Sequence, residues 1–205
     1  MISQRTVDRL ILLELVDDET KLQEAHGHSG VYPAAVHAET ELRSRLLRIL
    51  DGIQEGNVSY DVGVEEAKAA LAASHAAVVE VIQGRFEEPI PATVSARPSQ
   101  ADLPESLAQI FKDLLELPRF TAQISNRLAM FAHQTTWQTL NQGMILSLEG
   151  LAVFEVELTW VTAGDDRVCD ECSDREDSYG LEEAMALALP DSPPVHPFCR
   201  CYWDW

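Results

Sequence analysis

"LAVFEVELTWVTAGDDRVCDEC", residues 151–172, is where the chain changes character. Phe154, Val156, Leu158 and Trp160 alternate with Glu155, Glu157 and Thr159, the two-residue period of a half-buried strand. The periodic stretches before it are patterned for helices. Directly after it come Cys169 and Cys172, and the other two cysteines, Cys199 and Cys201, sit in "HPFCRC" at 196–201. The first 168 residues contain none. A change of period and a sudden supply of cysteine at one place divide the chain into a helical body and a small C-terminal module of mixed structure.

Working back from this boundary, an apolar stripe with Ile124, Leu128, Phe131 and Leu140 predicts a helix over about 120–142, with a shorter one over 105–116. Residues 87–104, "EEPIPATVSARPSQADLP", hold four prolines and little periodicity, and read as a linker or an arm lying over a surface. The alanine-rich run from Val64 to Phe86 predicts a helix whose small side chains allow close packing. "DGIQEGN" is a loop, and Val36, Leu42, Leu46, Leu47 and Ile49 mark a helix entered at Pro33. A first amphipathic helix is expected over 4–24, ending at "HGHSG". Its apolar run is interrupted by Glu14 and lacks a small-residue cleavage site, so it does not read as a signal peptide. Forward of the boundary, "LEEAMALAL" at 181–189 predicts a short helix and "CYWDW" a final strand able to pair with the first. The fold class expected is mainly α: a helical region at 1–86, the proline-rich arm at 87–104, and a helix plus a zinc-stapled α+β module at 105–205.

Charge narrows the function. Acidic residues outnumber basic ones 34 to 15, a formal net charge of −19. A chain so acidic is repelled by nucleic acid and by anionic membrane, so coating either is not its business. Residues 151–205 carry 13 acidic and 3 basic side chains, whereas the first fifty carry 8 and 6. No stretch approaches the roughly 18 apolar residues of a membrane span. These features point to a chain kept in the cytoplasm, where structural disulfides are disfavoured.

The cysteines then have three remaining uses. A dithiol redox pair at Cys169 and Cys172 would need a lowered thiol pKa. Asp170, Glu171, Asp174, Glu176 and Asp177 push the other way, and the second pair would have no role. A zinc-dependent hydrolase or nuclease would need an open metal position beside Asp165 or Asp166, yet neither His-x-Glu nor His-Glu-x-x-His supplies a base. A structural zinc site uses every piece: Cys-x-x-Cys brings two sulfurs to one ion, and a distant segment closes the tetrahedron. Four of Cys169, Cys172, His196, Cys199 and Cys201 are the expected ligands. Cys199 is placed ahead of Cys201 on the expectation that an extended run turns them to opposite faces.

The residues around the cysteines are more specific than the cysteines. Trp160, Thr162, Asp165, Arg167, Val168, Cys169, Cys172 and Gly180, followed by Pro193, Pro194, His196, Pro197, Cys199, Arg200 and Cys201, resemble the C-terminal module of the MuF-like phage minor head (head morphogenesis) proteins. The likeness covers about residues 120–201. It implies a non-enzymatic structural protein of the virion, present during assembly in the host cytoplasm. Its partners would be the portal and the capsid or scaffold proteins, and its role head morphogenesis and DNA packaging or delivery. That family places an Ala-Arg-Thr-Glu-like element on the helix before the strand; here "FAHQTT" puts His133 where the arginine is expected.

Other conspicuous residues have plainer readings. Asp165 and Arg167 suit a bidentate pair that fixes the turn before Cys169, or a solvated loop. Trp160 alternates with buried strand positions and reads as core, as do Trp203 and Trp205 at the chain end. His26, His28 and His37 lack any companion carboxylate or cysteine pattern and read as exposed. Lys112, Arg119 and Arg127 are candidates for touching packaged DNA, but Asp113 and Glu116 largely neutralise them.

Overall fold

The computed structural model describes residues 31–95, 103–116, 122–150, 156–162, 168–187, 199 and 201–204. The helix expected over 4–24, together with His26, His28 and Trp205, lies outside them. The protein is mostly helical, with a small three-stranded antiparallel sheet near the C-terminus.

Helix α1, Val31–Gln54, buries Ala35, Ala38, Leu42, Leu46, Ile49 and Leu50, a stripe at three- and four-residue spacing. His37 on the same helix is exposed. The chain reverses through Gly56, whose φ of 74° is one that a residue without Cβ adopts freely. Helix α2, Tyr60–Gln83, begins at Ser59, whose hydroxyl accepts the Val62 N–H, and ends at Gly84. Gly63, Ala67, Ala70 and Ser74 line its buried side, and these small residues bring it close to α1.

Residues 87–95 lie over the body and are pinned to it. The Gln83 amide donates to the carbonyls of Phe86 and Glu88, and its oxygen accepts the Ile90 N–H at 3.0 Å. One side chain thus replaces the ladder that a proline-rich run cannot make. Ile90 and Val94 are buried, the latter in a single-turn helix α3, Ala92–Ser95.

Helix α4, Glu105–Glu116, and helix α5, Ala122–Gly150, follow. The latter extends eight residues past the expected end. Asp113 of α4 pairs with Arg127 of α5, and that guanidinium holds the Asp113 carboxyl below its ordinary pKa. Both partners are partly exposed, so the pair orients α4 more than it stabilises it. It also occupies Arg127, one of the cations considered for DNA; Arg119 lies outside the described residues.

Three apolar clusters run along α5. Its first turns (Ile124, Leu128, Phe131) meet Leu42, Leu46, Leu71, Leu107 and Phe111. Its middle (Trp137, Leu140, Met144) meets Val78, Ile82, Ile90, Val94 and Tyr202. Its end (Ile145, Leu148) meets the C-terminal module. At Gly143 a Cβ would stand 2.5 Å from Ile82, so α2 and α5 are close enough there that only glycine fits without displacement.

The module is built on β1, Glu157–Val161, which is central in the order β2–β1–β3. Leu158 and Trp160 are buried, and Glu157 and Thr159 exposed, as the alternation predicts. After β1 come the single-turn helix α6, Asp170–Ser173, strand β2, Ser178–Gly180, helix α7, Leu181–Leu187, and strand β3, Tyr202–Asp204. Strand β3 pairs antiparallel with β1, Trp203 opposite Trp160, as the "CYWDW" reading expects. Strand β2 was not anticipated: three residues are too few for a period to show.

The two faces of β3 go to different cores. Trp203 packs edge-on against Trp160 and Tyr179 within the module. Tyr202 turns towards Trp137 of α5, and Asp204 accepts from Arg85 at 2.6 Å.

Gln83→Ala is expected to cost about 1 kcal/mol in urea unfolding and to speed hydrogen exchange at the Ile90 amide. Unchanged exchange there would mean that the arm is held without it.

Candidate metal centre

Strand β1 and the packing of Trp203 on Trp160 bring the two cysteine segments together. Residues Cys169–Ser173 close one tight turn, in which Cys169 caps α6. Its sulfur accepts the Cys172 N–H at 3.4 Å, the part a serine or aspartate oxygen usually plays. Cys172 then points inward and is buried, while Cys169 is half-buried.

Cys199 and Cys201 approach from the chain end, both buried. The sulfurs of Cys172, Cys199 and Cys201 all lie within 4.8 Å of one another, with Cys172 and Cys199 at 3.6 Å. Thiolates on a tetrahedral zinc, at Zn–S distances of about 2.3 Å, stand about 3.8 Å apart. The three sulfurs therefore have the spacing of three corners of such a site.

The placing of Cys199 and Cys201 on opposite faces is corrected by this arrangement. Residues two apart in an extended chain share a face, so both thiols turn to the same side. Cys169 lies outside the tight trio but one turn from Cys172. His196, Asp165, Arg167, Pro197 and Arg200 fall outside the described residues. Trp160 is fully buried in the module's core, with the Arg175 guanidinium 5.7 Å from its ring centre.

Around the thiols the charges are sorted by depth. Asp170, Glu171, Asp174, Glu176 and Asp177 are exposed, which makes the rim negative and favourable to an arriving divalent cation. Inside, burial and the neighbouring Cys199 push the Cys172 thiol up to about 12. Cys201 is also raised, first by its hydrogen bond with Cys199 and then by burial. Such thiols keep their protons at neutral pH. That is opposite to what an oxidoreductase dithiol needs.

A second layer comes from the helices. His133 Nε2–H donates to the Cys199 carbonyl at 2.7 Å, and His133 Nδ1 stands 2.9 Å from Glu39 Oε2. That same oxygen accepts Trp137 Nε1–H at 2.9 Å. Asn141 donates to the Cys201 carbonyl at 3.2 Å and accepts the Trp203 N–H at 3.0 Å. His133, Trp137 and Asn141 are four residues apart and form one column on α5. Sequence reasoning noted His133 only as a departure from an expected arginine and passed over Asn141 and Glu39. The available signal was a row of polar tips on a helix otherwise patterned as core.

The raised thiols make pH act in opposite senses on the two forms. Without metal, the folded state prefers the neutral thiols. Their contribution to stability is intact below the unfolded thiol's pKa, about 8.5, and is lost as pH climbs towards 12. Metal must displace those protons, so affinity should fall as pH drops, by about tenfold per unit for each proton displaced. Urea unfolding of chelator-treated protein between pH 7 and 11, beside metal titrations between pH 6 and 8, checks both signs.

Comparison with family models, curated proteins and solved structures returned no match, so the use of this site rests on its own chemistry and on the residues around it.

Proposed function

We propose that this chain is a non-enzymatic structural protein of a bacteriophage head, of the MuF-like kind, in which a zinc ion staples the C-terminal module. The observation that carries the metal is the buried trio Cys172, Cys199 and Cys201, whose sulfurs are spaced like corners of a thiolate tetrahedron. Cys169 or His196 would supply the remaining corner. Soft sulfur donors in this number favour zinc over calcium, magnesium or manganese. Three buried donors suit an ion that joins chain segments better than one that must meet a substrate.

The phage assignment is supported by residues that a generic zinc turn would not need: Trp160, Asp165-x-Arg167 before Cys169, and Pro193-Pro194-x-His196-Pro197 before Cys199. On this reading the protein sits in the virion near the portal, meets portal and capsid or scaffold proteins, and is made in the host cytoplasm. Contact with packaged DNA is a minor part of it, since the surface is strongly acidic and Arg127 is already paired.

Two measurements test the proposal. Purified protein should carry one zinc per chain, and Cys172→Ser or Cys199→Ser should lose it together with the near-ultraviolet signal of Trp160 and Trp203, while the helical signal stays. Mass spectrometry of heads from an infected host should find the chain in the particles. A chain left entirely in the lysate, or a folded Cys199→Ser protein that has lost a hydrolytic activity, would refute the structural reading.

A further inference from the structure

Among the described residues, the side chains of two α5 residues, His133 and Asn141, hydrogen-bond to the cysteine segment. These bonds fall on the backbone carbonyls of Cys199 and Cys201, two of the three clustered thiol residues. We propose that His133 and Asn141 are positioning residues of the metal centre, so that loading the metal and docking strand β3 on α5 are one coupled event. This rests on reading the thiol cluster as a metal site.

The geometry gives the coupling its cause. Along an extended run, residues 199 and 201 turn their side chains to one side. In a chain of that geometry the carbonyls of alternate residues share one edge. Here the sulfurs face Cys172 while the carbonyls face α5. The side chains and the carbonyls of one short segment are thus held by different partners, and rotation about its axis would break both sets at once. His133 is itself fixed by Glu39 of α1, and Asn141 by the Trp137 carbonyl, so the donors are aimed before the segment arrives. Asn141 also takes the Trp203 N–H, which extends the hold from the thiols to the first residues of β3. Groups of this kind, bonded to the ligand residues rather than to the ion, typically change metal affinity by about 10- to 100-fold when removed. By linkage, the ion must tighten the docking by the factor with which docking tightens the ion.

Cobalt(II) is the probe, because its thiolate charge-transfer band reports bound metal directly. With the full chain, His133→Ala and Asn141→Ala should each weaken cobalt binding about tenfold or more in competition with a chelator. Binding should remain one per chain, with the helical signal intact. His133→Gln, which keeps an N–H donor, should recover part of the loss, a rescue that simple filling of space would not produce. Affinities within twofold of the parent in both alanine variants would overturn the proposal while leaving the metal site standing. A parent chain that takes up no cobalt would instead overturn the metal reading, and this proposal with it. If the alanine variants lose their helical signal, hydrogen exchange in the parent decides. Cobalt should slow the Trp203 amide about tenfold or more, and equal rates with and without it would refute the coupling.

Discussion

The structure depends on burying the backbone of the chain end. Strand β3 is covered on both faces, Trp203 in the module's core and Tyr202 against α5, so its neighbouring peptide groups lose water. A buried carbonyl or amide left without a partner costs about 1–3 kcal/mol, which several apolar contacts are needed to offset. Beyond the pairing of β3 with β1, the backbone of Cys199, Cys201 and Trp203 is met by side chains of α5. His133 and Asn141 accept or donate where a further strand would otherwise have to lie. The demand for these bonds fixes the height at which the module meets the body.

Helix α5 can meet it because it is common to all three apolar clusters. Its first turns are committed to α1, α2 and α4, and further along it meets α7 and β3 of the module. A polar column between two apolar stretches is held in place from both sides. Glu39 closes the arrangement from α1, giving the His133 and Trp137 ring nitrogens a shared carboxylate oxygen. Satisfied in this way, buried polar groups specify one docking, whereas apolar contacts alone would tolerate several.

The thiol cluster adds a second constraint on the same few residues. The buried Cys172 and Cys201 thiols, both raised in pKa, hold protons that an incoming metal would have to displace, so on the proposed reading the centre would be reluctant without an ion and firm with one. If the cluster takes a metal as proposed, the exposed acidic rim and the buried thiols would divide the labour, one attracting the cation and the other holding it. A module of three short strands and two short helices has little apolar surface of its own, and crosslinking through a metal is a common remedy for that shortage.

Much of this was legible in the residue pattern. The alternation of Leu158 and Trp160 with the polar Glu157 and Thr159, the helical stripes of α1, α2 and α4, and the pairing of the last strand with β1 follow from periodicity, which is a local property. So does the confinement of cysteine to two segments. Strand β2 was not legible, being shorter than any period, nor was the true length of α5, whose last turns are covered by a module distant in sequence. The nomination of five metal donors narrowed the centre without assembling it. That Cys172, Cys199 and Cys201 converge, and that His133, Asn141 and Glu39 stand behind them, was decided only by tertiary structure. These contacts span from 27 to 94 positions along the chain, and no local spacing encodes which polar side chain will find a buried carbonyl so far away.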